Sequence, residues 1–169
     1  MQNMNTGAFG LCRCLNFVGI PSGVEEISAR CFTACEALSC VEFRHPSKLI
    51  CIGVDAFRSC GFLASIRIPS SVVILGGTCF CGCHRLYIVE FEPTSRLQRI
   101  GTGAFSYCSS LNSVLIPASV EEIGAMCFWE CDELHIVEFS PNSRLVSVEA
   151  KAFSSSVKFV NPPPCVPGR

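Results

Sequence analysis

The sequence predicts an α/β solenoid, with short strands stacked into a parallel sheet on one face and short helical turns and loops on the other. Three observations predict it. Phe residues recur on a fixed beat at Phe9, Phe32, Phe57, Phe80, Phe105, Phe128 and Phe153, in steps that alternate between 23 and 25 residues. Other apolar residues keep constant offsets from that beat, which is the mark of a repeat architecture. The 169-residue chain is also 49% hydrophobic and only 16% charged, so it has material for a continuous core and is not a disordered chain.

The offsets justify each element in turn. Three residues after the Phe stands Cys12, Cys35, Cys60, Cys83, Cys108 or Cys131, and only Ser156 breaks that column. A Phe-x-x-Cys spacing suits one helical turn with both side chains inward. At plus six comes a Leu (Leu15, Leu38, Leu63, Leu86, Leu111, Leu134). The positions from plus nine to plus eleven, such as Val18-Gly19-Ile20 and Ile66-Arg67-Ile68, alternate apolar, variable, apolar. That period of two reads as a strand with one buried face. A second apolar pair precedes the Phe by eight and five residues, as in Val72 and Leu75, and suggests a second short extended piece. Two repeat types alternate. One closes its strand with Ile-Pro at Ile20-Pro21, Ile68-Pro69 and Ile116-Pro117, where Pro has no N–H to continue a ladder. The other reads Val-Glu-Phe, as in Val89-Glu90-Phe91, and has a turn two residues longer that contains Pro46, Pro93 or Pro141. One repeat cannot bury its own apolar face, so the repeats must stack. Burying each Phe is worth ~1.5–3 kcal/mol, which makes that column a large favourable contribution.

The formal net charge is −1, which excludes the basic footprint of a general nucleic-acid binder. No apolar run approaches the ~18 residues of a membrane helix, so no membrane insertion is expected. The first residues show no signal-peptide pattern, and the compartment stays open.

The segment Leu111-Asn-Ser-Val114-Leu-Ile116-Pro117-Ala-Ser-Val120-Glu-Glu-Ile123-Gly-Ala-Met-Cys-Phe128-Trp-Glu-Cys131 resembles the BspA-type, or Treponema pallidum-type, leucine-rich repeat. The resemblance runs from Met4 to about Phe159. It departs from the family in having Cys31, Cys79 and Cys127 before the Phe and in the longer alternate turns. It implies a right-handed, curved leucine-rich-repeat solenoid, here over residues 1–160 in about six to seven repeats, followed by a Pro-rich tail at 161–169. It also implies a role like that of surface adhesins and host-interaction proteins. Met1 and Met4 fall in the minus-eight and minus-five columns, so the chain starts in mid-repeat without a polar cap. Such an end offers a surface for self-association or for further repeats of a longer array. The Pro-rich tail would serve as a crude cap at the other end.

The 14 Cys divide by column. Nine keep the repeat phase and read as small core residues. Cys31, Cys79 and Cys127 lie two repeats apart, ~10 Å, beyond the reach of a disulfide. Cys14, Cys40, Cys51, Cys81 and Cys165 share no column and are the candidates for exposed or reactive thiols, with Cys165 expected to be the most reachable. Cys79-Phe80-Cys81-Gly82-Cys83-His84 looks like a metal knuckle, but once the core Cys are set aside only Cys81 and His84 remain and no second ligand pair follows. No metal site or cofactor is therefore expected. His45, His84 and His135 occupy three different columns, and no nucleophile, base and orienting group can be assembled, so no catalytic residue is assigned. The acid pairs Glu25-Glu26 and Glu121-Glu122 read as a solvated face.

The outward columns of the strand supply the candidate binding face. At plus ten stand Glu42, Arg67, Glu90, Leu115 and Glu138, of which Glu42, Arg67 and Glu90 are expected to stack as alternating charges. At plus eight stand Ile88 and Ile136, apolar where water is expected, with Tyr87 and His135 beside them. The reading is a non-enzymatic module that binds a protein partner through this face. The rivals are a thiol-based metal or redox protein using the off-column Cys, and a purely structural segment of a longer array.

Overall fold

The computed structural model describes residues 2–166; the minus-eight placement of Met1 and the tail residues 167–169 lie outside them. Every repeat contributes two strands. The odd-numbered set is β1 (Gln2–Met4), β3 (Val24–Ile27), β5 (Cys51–Ile52), β7 (Ile74–Leu75), β9 (Arg99–Ile100), β11 (Glu122–Ile123) and β13 (Ser147–Val148). These form one continuous seven-stranded parallel sheet in chain order. The even-numbered set is β2 (Phe17–Ile20), β4 (Cys40–Phe43), β6 (Ser65–Ile68), β8 (Ile88–Phe91), β10 (Ser113–Ile116), β12 (Ile136–Phe139) and β14 (Lys158–Val160). They are also parallel, but they form three separate groups, β2–β4, β6–β8 and β10–β12–β14. The unbroken sheet is thus built from the second, shorter extended piece. The longer strands of the plus-eight to plus-eleven segment make a face interrupted twice.

The interruptions coincide with the alternation of repeat types. Within a pair, the N–H that follows the second strand donates to the carbonyl that ends the first: Arg44 to Ile20, Glu92 to Ile68 and Ser140 to Ile116, each at 3.0 Å. At the steps from β4 to β6 and from β8 to β10, the corresponding residues are Pro69 and Pro117, which have no N–H to give. The two-residue-longer turn lies at those same steps and also between β12 and β14, which pair. From β2 to β10 the 48-residue double unit of the sequence is therefore visible as paired strands separated by unpaired junctions, whereas β12 continues its ladder to β14.

The expected helical turns are not formed: no helix occurs among the described residues. The first six Phe of the column are flanked two residues away on both sides by left-handed backbone, for example Arg30 (φ 58°) and Ala34 (φ 53°) around Phe32, and Met126 (φ 54°) and Glu130 (φ 55°) around Phe128; Phe153 has it only at Lys151 (φ 57°). Such residues end a helix after one turn. The result is a run of β-turns, with Cys31 N–H donating to Ser28 O and Cys35 N–H to Phe32 O. The intervening N–H groups point to the next repeat, as Phe32 N–H does to Ala56 O at 2.7 Å. A helix would direct its amides along its own axis, whereas this arrangement satisfies the backbone both within a repeat and between repeats. Where backbones pass closest only Gly fits, since a Cβ on Gly101 would lie 2.6 Å from Gly77 N.

The Phe column packs as one spine. The seven rings stack with centroids 5.1–5.4 Å apart and planes within 9°. Phe159 meets the last ring, Phe153, edge-on at 5.3 Å, and Val166 of the tail is buried near the same end. At the N-terminal end Phe9, Leu11 and Phe17 are exposed.

Candidate functional site

The site is built on the even-numbered strands. Along β6, β8, β10 and β12 side chains alternate outward and inward, so Ile66, Val89, Val114 and Val137 enter the core and their neighbours face water. All nine residues assigned from sequence to the binding face are exposed: Glu42, Arg67, Tyr87, Ile88, Glu90, Leu115, His135, Ile136 and Glu138. Exposure is 47% for Tyr87, 38% for Ile88, 50% for Leu115 and 44% for Ile136, so no further turn of chain covers these apolar side chains. The ladders set Arg67 opposite Glu90, Ser65 opposite Ile88, Ser113 opposite Ile136 and Leu115 opposite Glu138.

The expected charge stack is met only in part: Arg67 stands opposite Glu90, but its ion pair is made within a different cluster. Arg67 Nε lies 3.8 Å from Oε1 of Glu92, and His45 Nε2 lies 2.8 Å from the same oxygen. The other carboxylate oxygen accepts the Ser70 N–H at 2.9 Å. The Glu92 side chain is only 10% exposed, so it is the buried hub of this group. Glu42 lies on β4, which does not pair with β6, and cannot complete a ladder with Arg67. Sequence reasoning passed over Glu92 because its column reads Arg44, Glu92, Ser140 and carries no repeated type.

The cluster crosses the first junction, between β4 and β6. One double unit later the residues in register with His45, Arg67 and Glu92 are Pro93, Leu115 and Ser140. All three line a groove of about 440 Å³ at the second junction, between β8 and β10. Val89, Phe91, Pro117 and Glu90 also line it, and Arg67 and Glu92 of the first cluster border it.

The comparisons with known proteins agree on the architecture. The BspA-type leucine-rich repeat profile matches in six copies over residues 2–135 and 87–163. The chain belongs to the BspA-type leucine-rich repeat family. A Treponema pallidum leucine-rich repeat protein of known structure is 31% identical, with a TM-score of 0.67 over 86% of this chain and 73% of its own. The pneumococcal vaccine antigen PcpA superposes with a TM-score of 0.77 at 24% identity over 85% of this chain, which spans only 37% of that antigen. A leucine-rich cell surface protein from Faecalibacterium prausnitzii aligns at 24% identity with a TM-score of 0.57, over 82% of this chain and 43% of its own. These last two likenesses concern fold alone. No curated protein matches significantly. The family is one of repeat scaffolds, and no catalytic family is indicated.

The thiols of this leucine-rich repeat are structural donors. From Cys35 onward each plus-three Sγ–H donates to the Phe carbonyl of the preceding repeat: Cys35 to Phe9, Cys60 to Phe32, Cys83 to Phe57, Cys108 to Phe80 and Cys131 to Phe105, at 3.0–3.3 Å. The same carbonyls accept the turn amides within their own repeats, so both lone pairs are used. Burial pushes the thiols up, Cys31 to about 11 and Cys60 and Cys131 to about 12. Protonated thiols of this kind are poor nucleophiles and poor metal ligands, so the buried in-column Cys supply no reactive thiol. The expected order of accessibility is corrected. Cys165 is half-buried and donates to Leu145 O at 3.2 Å, and Cys81 is buried. Cys14 and Cys40 are exposed as expected, joined by in-column Cys12 in the N-terminal turn. Cys79, Cys81 and Cys83 are buried while His84 is exposed, and among the described residues no group of three His, Cys, Asp or Glu is placed to hold a metal. The histidines do not converge: His45 meets Glu92, and His135 Nε2 lies 3.7 Å from Glu133. Of the acid pairs only Glu122 is exposed, joined to Arg99 at 2.7 Å, while Glu25, Glu26 and Glu121 are half-buried and Glu26 accepts from Asn3. On the turn side, burial alone would raise the Asp55 carboxyl. Hydrogen bonds from Thr78, Arg58 and Arg30 outweigh it and hold the group below its ordinary range. No helix among the described residues is long and apolar enough to cross a membrane.

Proposed function

We propose that this chain is a non-catalytic protein-interaction module that binds a protein partner through its even-numbered strand face, in the manner of the adhesins and host-interaction proteins that its family resembles. The observation that carries this reading is the row of exposed apolar residues Tyr87, Ile88, Leu115 and Ile136, interleaved with Glu42, Glu90 and Glu138. A soluble protein rarely leaves large apolar side chains grouped on one regular face unless another surface covers them. The three carboxylates have no ion-pair partner among the described residues, so they are available to a ligand. At the N-terminal end the exposed Phe9 ring and Leu11 support self-association as a second mode of contact.

The test compares two triple variants in capture of a partner from surface extracts, with sizing run on the same preparations. Ile88→Ser, Glu90→Gln and Ile136→Ser together should lower capture at least tenfold and leave the circular dichroism spectrum and melting temperature near those of the parent. Ile74→Ser, Arg99→Gln and Val146→Ser, away from the even strands, should leave capture unchanged. Equal losses from both variants, or undiminished capture by the first, would refute the assignment of this face.

A further inference from the structure

We propose that the groove at the second junction is the anchor point of that face, and that it takes an apolar side chain carried in a basic, extended segment of the partner. This inference rests on the strand-face reading and names the chemistry of its ligand. Three observations converge on it.

The first is that the groove exists by substitution. At the first junction the equivalent space is crossed by the imidazole of His45 and the guanidinium of Arg67, both directed at the carboxylate of Glu92. At the second, Pro93, Leu115 and Ser140 stand in register with those three residues and leave about 440 Å³ of space. That volume lies within the range of pockets that accept a ligand group.

The second is its lining. Val89, Phe91, Pro93, Leu115 and Pro117 present hydrocarbon to the space, and Leu115 is half exposed without a bound partner. β8 and β10 do not pair here, so the two walls are not tied by a ladder along their facing edges.

The third is the charge around it. Glu90 stands on the rim, and Glu138 lies directly across the β10–β12 ladder from Leu115. Neither has an ion-pair partner among the described residues. The one cation on the rim, Arg67, is already engaged by Glu92. A segment that seats an apolar side chain in the groove therefore meets unpaired carboxylates beside it, and Lys or Arg flanking the anchor complements them.

The experiment is a methyl NMR titration of the full chain with three synthetic pentapeptides: Thr-Lys-Phe-Lys-Thr, its Ala-centred analogue Thr-Lys-Ala-Lys-Thr, and its acidic analogue Thr-Glu-Phe-Glu-Thr. The expected result is a saturable shift of the Val89 and Leu115 methyls with the first peptide, and at least tenfold weaker binding of the other two. Pro93→His, Leu115→Arg and Ser140→Glu together should rebuild the bridged arrangement and abolish the shift at Val89. Leu115→Arg alone, at an exposed position, should do the same and serves if the triple variant does not fold. Equal affinity for the Phe and Ala peptides overturns the proposal. Shifts confined to the Ile88 and Ile136 methyls overturn the groove and leave the strand face standing. No saturable shift at Val89 or Leu115 also overturns the groove, while the strand-face reading is judged separately by the capture experiment above.

Discussion

The two junctions of the even-numbered face hold the same place in the repeat and differ in what fills them. Between β4 and β6, a nearly buried carboxylate, an imidazole, a guanidinium and a backbone amide meet at Glu92. Between β8 and β10, a proline, a leucine and a serine stand in register and the space is open. The backbone geometry that breaks the ladder is common to both, since Pro69 and Pro117 each withdraw an N–H at the same step. The scaffold therefore creates a potential cleft at two of its three longer-turn steps, β12 and β14 being paired, and side chains outside the repeated columns decide whether it is closed. In a solenoid the repeated residues build the stack, and the unrepeated ones make one part of it unlike another.

That comparison requires the interior to be equally dry beneath both junctions. The thiol rungs test it. Cys60 donates to Phe32 O across the bridged junction at 3.2 Å, and Cys108 donates to Phe80 O across the open one at 3.3 Å. Burial raises both thiols, Cys60 to about 12 and Cys108 well above its ordinary value. A thiol raised in the folded state stays protonated while its unfolded counterpart ionises, so the folded state binds more protons above pH ~9 and stability falls as pH rises from there. Several such thiols act together, which makes this the largest expected effect. The melting temperature should be level from pH 7 to about 8.5 and fall steeply from pH 9 to 11 in a single transition. Alkylation at pH 9.5 followed by peptide mass analysis should label Cys12, Cys14 and Cys40 quickly, and Cys60 and Cys108 slowly and at similar rates. Faster labelling of Cys108 would mean that the open junction admits water to the core.

The spine sharpens the same point. Phe32 and Phe57 stack at 5.1 Å across the bridged junction, and Phe80 and Phe105 at 5.4 Å across the open one. Phe57→Ala and Phe105→Ala should each cost about 3–5 kcal/mol in urea unfolding, because each removes a fully buried ring from a close-packed column. The two values should agree within about 1 kcal/mol. A much smaller cost at Phe105 would show that the break in the strand face reaches the spine.

What could be read from the sequence follows the same division between repeated and unrepeated residues. The Phe, Leu and strand columns were legible because every repeat restates them, and they placed the core and the exposed face residue by residue. The helical turn was misread for a specific reason. A Phe-x-x-Cys spacing of three fits a helical turn and a β-turn equally, and the left-handed backbone at Arg30, Ala34, Met126 and Glu130 falls on residue types that do not announce it. The interrupted sheet was hidden in the difference between 23 and 25 residues, which reads as a loop insertion until the missing amides of Pro69 and Pro117 are set against Arg44, Glu92 and Ser140. Glu92 was invisible because its column never repeats. The useful cue was the departure itself, where a charged residue in one double unit is replaced by Leu or Pro in the next.

Removing the hub from each junction gives the smallest effects and the most direct measure of the difference between them. Glu92→Ala takes away the anion that holds His45 and Arg67 and leaves the Ser70 N–H without its acceptor. Because the Glu92 carboxylate is shielded and accepts hydrogen bonds, the expected loss is about 1–3 kcal/mol, more than an exposed ion pair would give. Ser140→Ala, at the equivalent place, removes a hydroxyl that makes no side-chain hydrogen bond among the described residues, and should change stability by less than about 0.5 kcal/mol. Urea unfolding at two salt concentrations separates the contributions. The Glu92→Ala loss should shrink only in part at high salt, since a shielded pair is screened less than a surface one. Equal costs at the two sites would mean that the bridge at the first junction does not hold the face together, and that the open groove is an accident of shape and not the counterpart of a closed one.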